Sequence, residues 1–175
     1  ALASGSTTSV TPRPGARPYI EAHQYDLALD LATQELENGA ITGRDEDSVH
    51  TLTTDTFPYH AEVARKYGLD LIMYEGGPSI SGAGDWIQND ELTAFFVALS
   101  YSEQIGTLYR EVLQGWKDTG GTLFNVFGDV YKPGRYGSWS VLRHLDDDNP
   151  RWDAVQQFNS DNAAWWENRM EGTFN

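Results

Sequence analysis

LDLIMYEGG, residues 69–77, is the stretch of sequence that decides the fold of this chain. Its first six residues form a short, nearly continuous apolar run, which is typical of a strand buried on both faces of a parallel sheet. Glu75 and the two glycines after it interrupt the run. The stretch therefore predicts a buried strand over residues 69–74 that carries Glu75 at its carboxyl end.

Helical and strand patterns alternate on both sides of this stretch. Apolar residues recur at helical spacing, glycines follow three of the helical segments, and Ser138 and Pro150 are suited to start the last two. The predicted helices are 25–36, 57–67, 90–99, 105–116, 138–145 and 151–158, and the other predicted strands are 18–23 and 122–127. Strands that alternate with longer helices indicate an α/β fold with a parallel sheet.

The pattern contains about three βα units, which is too few for a stable parallel sheet. The edges of such a sheet would leave backbone groups unpaired and an apolar face bare. We therefore expect an upstream segment or another chain to supply the remaining strands. Residues 1–17, rich in Ser, Thr, Pro and Gly, predict a linker or loop, residues 18–158 the folded domain, and residues 159–175 a C-terminal extension.

Composition excludes several classes of function. The 175 residues include 26 acidic and 12 basic side chains, and a formal charge of −14 disfavours nucleic acid and anionic membrane surfaces as partners. The sequence contains no cysteine, which excludes disulfides and cysteine chemistry. It also contains no run of 18 apolar residues that could form a membrane-spanning helix. Motifs for nucleotides, serine hydrolases, calcium and paired metal-binding histidines are missing, so we predict no cofactor and no metal. The acidic run at residues 146–148 is interpreted as a solvated helix end, with attraction of a cation as the alternative.

Glu75 is the first candidate for catalysis. Its carboxylate should emerge at the carboxyl edge of the sheet, where parallel α/β enzymes place their active sites. Gly76 and Gly77 would let the backbone come close to a substrate. A capping or salt-bridging glutamate at a strand end would show the same spacing. Asp129 and Glu21 are weaker candidates for a second strand-end carboxylate.

Aromatic residues in glycine-rich loops are candidates for binding sugar. Trp86 follows Glu75, and Tyr131, Tyr136 and Trp139 follow the last predicted strand. Exposed aromatic rings stack well on the apolar faces of sugar rings. Ordinary packing at the end of a sheet would explain the same residues.

Tyr74 and His23 complete the candidate site. His23 ends the first predicted strand, where it could hydrogen-bond a substrate or orient Glu75. A structural histidine is the alternative. Tyr74 directly precedes Glu75 and is assigned the same task as His23.

Four pieces of the sequence, taken in order, resemble one enzyme family. They are residues 69–77, residues 121–127, GSW at 137–139 and PRWDA at 150–154. From about residue 55 to residue 158 the chain resembles the last part of the cellulase-like TIM-barrel glycoside hydrolases, in particular secreted bacterial members with a Tyr-Glu-Gly-Gly strand end. The order of the pieces is more specific than any one of them.

The resemblance implies the C-terminal part of a (βα)8 TIM barrel. Residues 18–23 would be the sixth strand, Glu75 would end the seventh, and the eighth would end near Phe127. In retaining members the seventh strand carries the nucleophile, which corresponds to Glu75, and an aromatic residue after the eighth forms a sugar platform, which corresponds to Trp139. The acid/base glutamate of these enzymes follows an asparagine on the fourth strand, and no Asn-Glu pair occurs in this chain.

We therefore predict a secreted, retaining glycoside hydrolase that acts on a poly- or oligosaccharide. The predicted site consists of Glu75 as nucleophile, with His23, Tyr74, Trp86, Tyr131, Tyr136 and Trp139 as substrate-binding residues. Retaining hydrolysis requires two carboxyl groups about 5 Å apart, and this chain supplies at most one of them. The alternative is a non-catalytic carbohydrate-binding or structural component of an extracellular assembly, because a fold alone does not determine function.

Overall fold

The fold is mixed α/β, with mostly helices and a small parallel sheet. The computed structural model describes residues 2–4, 24–163 and 165. The strands are β1 (Leu2–Ser4), β2 (Ile72–Gly76) and β3 (Phe124–Val126). The helices are α1 (Tyr25–Asn38), α2 (Val49–Thr51), α3 (Phe57–Lys66), α4 (Asp90–Ser100), α5 (Glu103–Asp118) and α6 (Pro150–Asp161). Within the described ranges, no helix combines the length and apolar character needed to cross a bilayer.

The three strands are parallel and lie in the order β1-β2-β3. Met73 pairs with Phe124 and Gly76 with Val126, with an irregularity in register between these pairs. The crossover between β2 and β3 contains α4 and α5. Because β2 and β3 are parallel, their carboxyl ends lie at the same edge of the sheet.

The central strand begins later than the prediction of 69–74. Leu69 still belongs to the turn that closes α3, since its N–H donates to the carbonyl of Ala64 at 2.9 Å, and the residue is 54% exposed. Contact with the neighbouring strand starts at Leu71, whose carbonyl accepts from Thr122 N at 2.8 Å. The strand then continues through Glu75 to Gly76.

The helices predicted at 25–36, 57–67, 90–99, 105–116 and 151–158 all form, and their ends differ from the prediction by at most three residues. Local capping explains this agreement. The capping side chains are Asn89 for α4, Ser102 for α5 and Asn149 for α6, and each accepts a backbone N–H at 2.8 to 3.3 Å. The left-handed conformations of Gly39 and Gly68 end α1 and α3.

A π-helical turn, Leu52–Thr56, connects α2 to α3. The N–H of Phe57 donates to the carbonyl of Leu52, and the next residue is Pro58, which has no N–H to continue a regular ladder. The turn brings Thr53 against α5 at Gly115, where an added Cβ would lie 2.5 Å from the Thr53 methyl. Close packing of the π-helical turn against α5 therefore requires glycine at position 115.

Two apolar clusters hold the helices on the sheet. The larger joins α1, α4, α5 and α6, and the smaller joins α3 and β2 through Trp116 of α5. Trp116 has no exposed surface, and its ring packs edge-on against Phe57 and Phe124 with centroids 5.2 and 5.9 Å away. Its Nε1 donates to the carbonyl of Thr122 at 3.0 Å. Trp116 thus ties the entry of β3 to α3.

The helix predicted over residues 138–145 is wrong, because this segment pairs with the loop after β3 instead of with itself. Val141 N donates to Gly128 O at 3.2 Å, and Leu142 N donates to Asp129 O at 3.0 Å. In the opposite direction, the N–H of Tyr131 donates to the carbonyl of Leu142 at 3.1 Å. Ser138 is buried and caps no helix.

The acidic run at 146–148 is likewise not a solvated helix end. Its central residue, Asp147, has a side chain that is only 2% exposed and forms an ion pair with Arg143. The Arg143 backbone N–H and guanidinium and the Asn149 amide all donate to the Asp147 carboxylate. These bonds hold the Asp147 pKa well below its usual range. The carboxylate therefore organises the irregular loop that ends at α6.

The chain termini lie partly outside the described residues. The predicted strand 18–23 falls entirely there, together with most of the predicted linker at 1–17 and of the predicted extension at 159–175. Within the predicted linker, Leu2–Ser4 forms β1, which pairs with β2. At the other end, α6 runs on to Asp161, past the predicted domain boundary at residue 158.

Replacing Asp147 by Asn should lower stability and weaken its dependence on acid. A lowered pKa in the folded state means that the ionised carboxylate stabilises the fold above the unfolded pKa of about 3.9, and that this stabilisation is lost as the pH falls below it. At pH 7 we expect Asp147→Asn to cost about 2 kcal/mol. Thermal unfolding between about pH 7 and pH 3 measures both effects.

Asp148→Asn is the matched control, since Asp148 is exposed and has no hydrogen bond or ion pair within the described chain. It should follow the wild-type pH profile. Equal acid sensitivity of the Asp147→Asn variant and the wild type would contradict the stabilising role of the Asp147 carboxylate.

Candidate functional site

Glu75 is the penultimate residue of the central strand. Its side chain is exposed, and in β1 its partner in register is Ser4. Among the described residues, the carboxylate has no hydrogen bond, ion pair or other specific partner. The capping or salt-bridging role considered as the alternative for Glu75 therefore has no support in this part of the chain.

The two glycines after Glu75 have packing roles. A Cβ on Gly76 would lie 2.4 Å from the ring of Phe124. Gly77 has a φ of 148°, and a Cβ there would lie 2.9 Å from the hydroxyl of Tyr109 on α5. The glycine pair thus allows the end of β2 to lie directly on β3 and α5, whereas close approach to a substrate stays a prediction.

An aromatic pair stands at the same edge of the sheet. The N–H of Phe127 donates to the carbonyl of Gly76 at 2.9 Å, which places Phe127 beside the end of β2. The Phe127 ring meets Trp139 edge-on, with centroids 5.5 Å apart, and Trp139 Nε1 donates to Tyr136 O at 3.1 Å. The structure therefore brings the loop that carries Trp139 to the carboxyl ends of β2 and β3.

Tyr131 and Tyr136 are the most exposed aromatic residues of this loop, each with 69% of its surface accessible. Tyr136 lies in a tight turn that is closed by reciprocal hydrogen bonds between Gly134 and Gly137, and Tyr131 precedes this turn. Arg135 in this turn donates to Gln88 and forms an ion pair with Asp90 at 3.4 Å, which ties the loop to the start of α4.

Trp86 and Tyr74 are placed differently from one another. Trp86 lies in the 3-10 turn Gly84–Gln88, half-buried against the larger apolar cluster, as expected from its packing alternative. Tyr74 is 59% exposed, and its carbonyl accepts a hydrogen bond from Asn125 Nδ2 at 2.7 Å. Tyr74 and Glu75 are thus adjacent exposed side chains on the same strand.

Other predicted candidates are less informative. His23 and Glu21 lie outside the described residues. Asp129 is exposed in the loop after β3, and its Oδ1 accepts from the N–H of Val130 at 2.7 Å. In the described ranges, no group of three or more acidic or histidine side chains is placed to hold a metal ion.

An apolar cavity of about 80 Å³ lies between the sheet and the helices. Gly76, Gly77, Tyr109 and Phe124 are among its lining residues. Ligand pockets typically enclose about 300 Å³ or more, so this cavity is too small for a sugar ring with its hydration. A ligand of that size bound beside Glu75 would therefore lie on the open edge of the sheet and not inside this cavity.

Sequence analysis missed Phe127 and Asn125 as members of this edge. Asn125 belongs to β3 and bonds to the carbonyl of Tyr74, and Phe127 directly follows β3 and bonds to the carbonyl of Gly76. The rule that parallel strands expose their carboxyl ends at one edge would have identified them. Their contact with β2 depends on a register that the sequence pattern does not specify.

No protein-family model matches this chain, and comparison with curated proteins and with solved structures finds no match. The family resemblance consequently depends on the four quoted sequence pieces alone.

Proposed function

We propose that this chain is the C-terminal part of a (βα)8-barrel glycoside hydrolase in which Glu75 is the nucleophile of a retaining reaction. One observation carries the proposal. An exposed carboxylate, without a partner in the described chain, lies at the carboxyl end of a parallel strand, and the exposed Phe127 follows the neighbouring strand at the same edge of the sheet. Parallel α/β enzymes place their chemistry at this edge.

The shape of the sheet supports completion by further strands. In the described chain β1 and β3 each pair on one side only, with β2. An unpaired strand edge favours the addition of another strand, and closure into a barrel removes both edges. We propose that an upstream segment or another chain supplies these strands together with the acid/base carboxylate.

The chemistry assigned to each residue follows from the retaining mechanism. The Glu75 carboxylate attacks the anomeric carbon while a second carboxyl group, about 5 Å away, protonates the leaving oxygen. Water then releases the sugar from the glycosyl ester. Trp139 with Phe127, and the exposed Tyr74, Tyr131 and Tyr136, offer rings for stacking on sugar faces.

A carbohydrate is the partner that best suits this surface. The formal charge of −14 repels polyanions, whereas neutral sugars bind through aromatic stacking and hydrogen bonds. We propose that the protein acts outside the cell, as the resemblance implies. The alternative, a component that binds carbohydrate without hydrolysing it, requires the same aromatic rings and no second carboxylate.

Glu75→Gln in the full-length protein should abolish turnover and leave sugar binding intact. We expect kcat on a panel of aryl glycosides and oligosaccharides to fall at least about 1,000-fold, because Gln cannot form the glycosyl ester. A 2-deoxy-2-fluoro glycoside should add one sugar mass to the wild-type peptide that contains Glu75. The same peptide of the variant should stay unmodified.

Glu62→Gln, an exposed substitution on α3, is the matched control and should hydrolyse at the wild-type rate. Near-normal turnover by Glu75→Gln, or a trapped sugar on another residue, would exclude Glu75 as the nucleophile. Saturable sugar binding by a full-length wild type that never hydrolyses any of the panel would favour the non-catalytic alternative.

Tyr136→Ala should weaken oligosaccharide binding about fivefold, through loss of a stacking ring, and leave the melting temperature unchanged. Tyr67→Ala is the control, because Tyr67 is 67% exposed but lies at the end of α3, before the strand rather than after it. Isothermal titration of both variants measures the effect. Equal affinity in the two variants would remove Tyr136 from the binding surface.

A further inference from the structure

Arg151, the second residue of α6, is fully buried. Within the described chain it has no carboxylate partner. Its guanidinium donates to three backbone carbonyls instead, with Nη1 bonded to Ser138 O at 2.7 Å and, more weakly, to Ser100 O at 3.4 Å, and Nη2 bonded to Trp139 O at 2.9 Å. A buried cation is costly unless such groups stabilise it.

Two aromatic faces provide the rest of its environment. The guanidinium carbon lies 5.1 Å from the ring centre of Tyr101 and 5.4 Å from that of Tyr109. Tyr101 in turn donates from its hydroxyl to the carbonyl of Ser140 at 3.0 Å. Arg151 and Tyr101 together therefore hold residues 138–140, the segment that presents Trp139.

Tyr109 connects the same cation to the other wall of the candidate site. Its hydroxyl lies against Gly77, two residues after Glu75, so closely that a Cβ there would be 2.9 Å away. The buried hydroxyl and Arg151 Nε both have no hydrogen-bond partner in the described chain. Burial raises the pKa of Tyr109, and the neighbouring Arg151 charge opposes that rise, which is consistent with their proximity.

We propose that Arg151 is a positioning residue that sets the distance between Glu75 and the Trp139 platform. The guanidinium reaches the platform through two successive carbonyls and reaches the Glu75 strand end through Tyr109. Its planar, forked donors match two adjacent carbonyls, whereas a lysine ammonium is a single point donor. The expected effect of Arg151 on catalysis rests on the proposed function. Its expected effect on the positions of residues 75–77 and 138–140 does not.

The structural consequence is tested first, on the full-length protein without any ligand. In Arg151→Lys, backbone amide resonances of both residues 75–77 and residues 138–140 should shift, together with the indole N–H of Trp139. Tyr109→Phe, which removes only the hydroxyl, should shift residues 75–77 and leave 138–140 in place. Arg143→Lys is the control, because Arg143 also faces Tyr101, at 4.8 Å, but pairs with Asp147. It should leave residues 75–77 unchanged.

The catalytic consequence separates positioning from a merely structural role. In Arg151→Lys, we expect kcat per titrated site to fall about 100-fold, because a displacement near 1 Å can have that effect, while oligosaccharide affinity stays within about threefold. Active sites are counted by complete trapping with the fluoro glycoside. A structural role would reduce the number of titrated sites and leave kcat per site normal.

The outcomes distinguish this inference from the proposed function. Resonance changes confined to residues 138–140 in Arg151→Lys would overturn the coupling, whatever the activity. Coupled changes at both segments in a protein without hydrolytic activity would retain the positioning role and reject the enzyme. If Arg151→Lys does not fold, unchanged resonances at 75–77 in Tyr109→Phe would overturn the inference.

Discussion

The parallel pairing of β2 with β3 is the constraint on which the rest of the structure depends. Each strand alone is too short to be stable, and their hydrogen bonds from Thr122 to Leu71 and from Phe127 to Gly76 join segments about fifty residues apart. Trp116 supports this pairing, because its ring packs against the ring of Phe124 and lies directly against the backbone of Gly121, just before β3. The pairing of β2 with β3 thus brings Glu75 and the aromatic loop to the same edge of the sheet.

The loop between β3 and α6 shows how irregular backbone can be positioned by buried polar groups. In place of a helix, this loop is held by side chains that bond to its backbone, among them those of Asp147, Asn149 and Arg151. Two of these side chains are charged: the Asp147 carboxylate pairs with Arg143, whereas Arg151 has no carboxylate partner in the described chain. The loop is therefore held by specific charge-assisted bonds, which define one conformation more narrowly than apolar contact does.

The sequence predicted the elements whose hydrogen bonds are local. Helix ends at Gly39 and Gly68 and the start of α6 at Pro150 follow from residues within one turn, and so they were predicted to within three positions. Glu75 was placed at a strand end because the apolar run stops there, and its exposure agrees. The glycines after it were assigned to substrate approach, although their observed contacts are with Phe124 and Tyr109.

What the sequence by itself determined is the alternation of helices and strands and the position of Glu75, since apolar period and capping act over a few residues. Tertiary structure alone decided the path of residues 138–145, the strand at Leu2–Ser4 and the contact of Phe127 with Trp139. It also decided the burial of Arg151, a cation in the first turn of a helix, where the helix dipole disfavours positive charge. These features depend on contacts between residues that are distant in the sequence. Such contacts stabilise the structure only once the chain has folded.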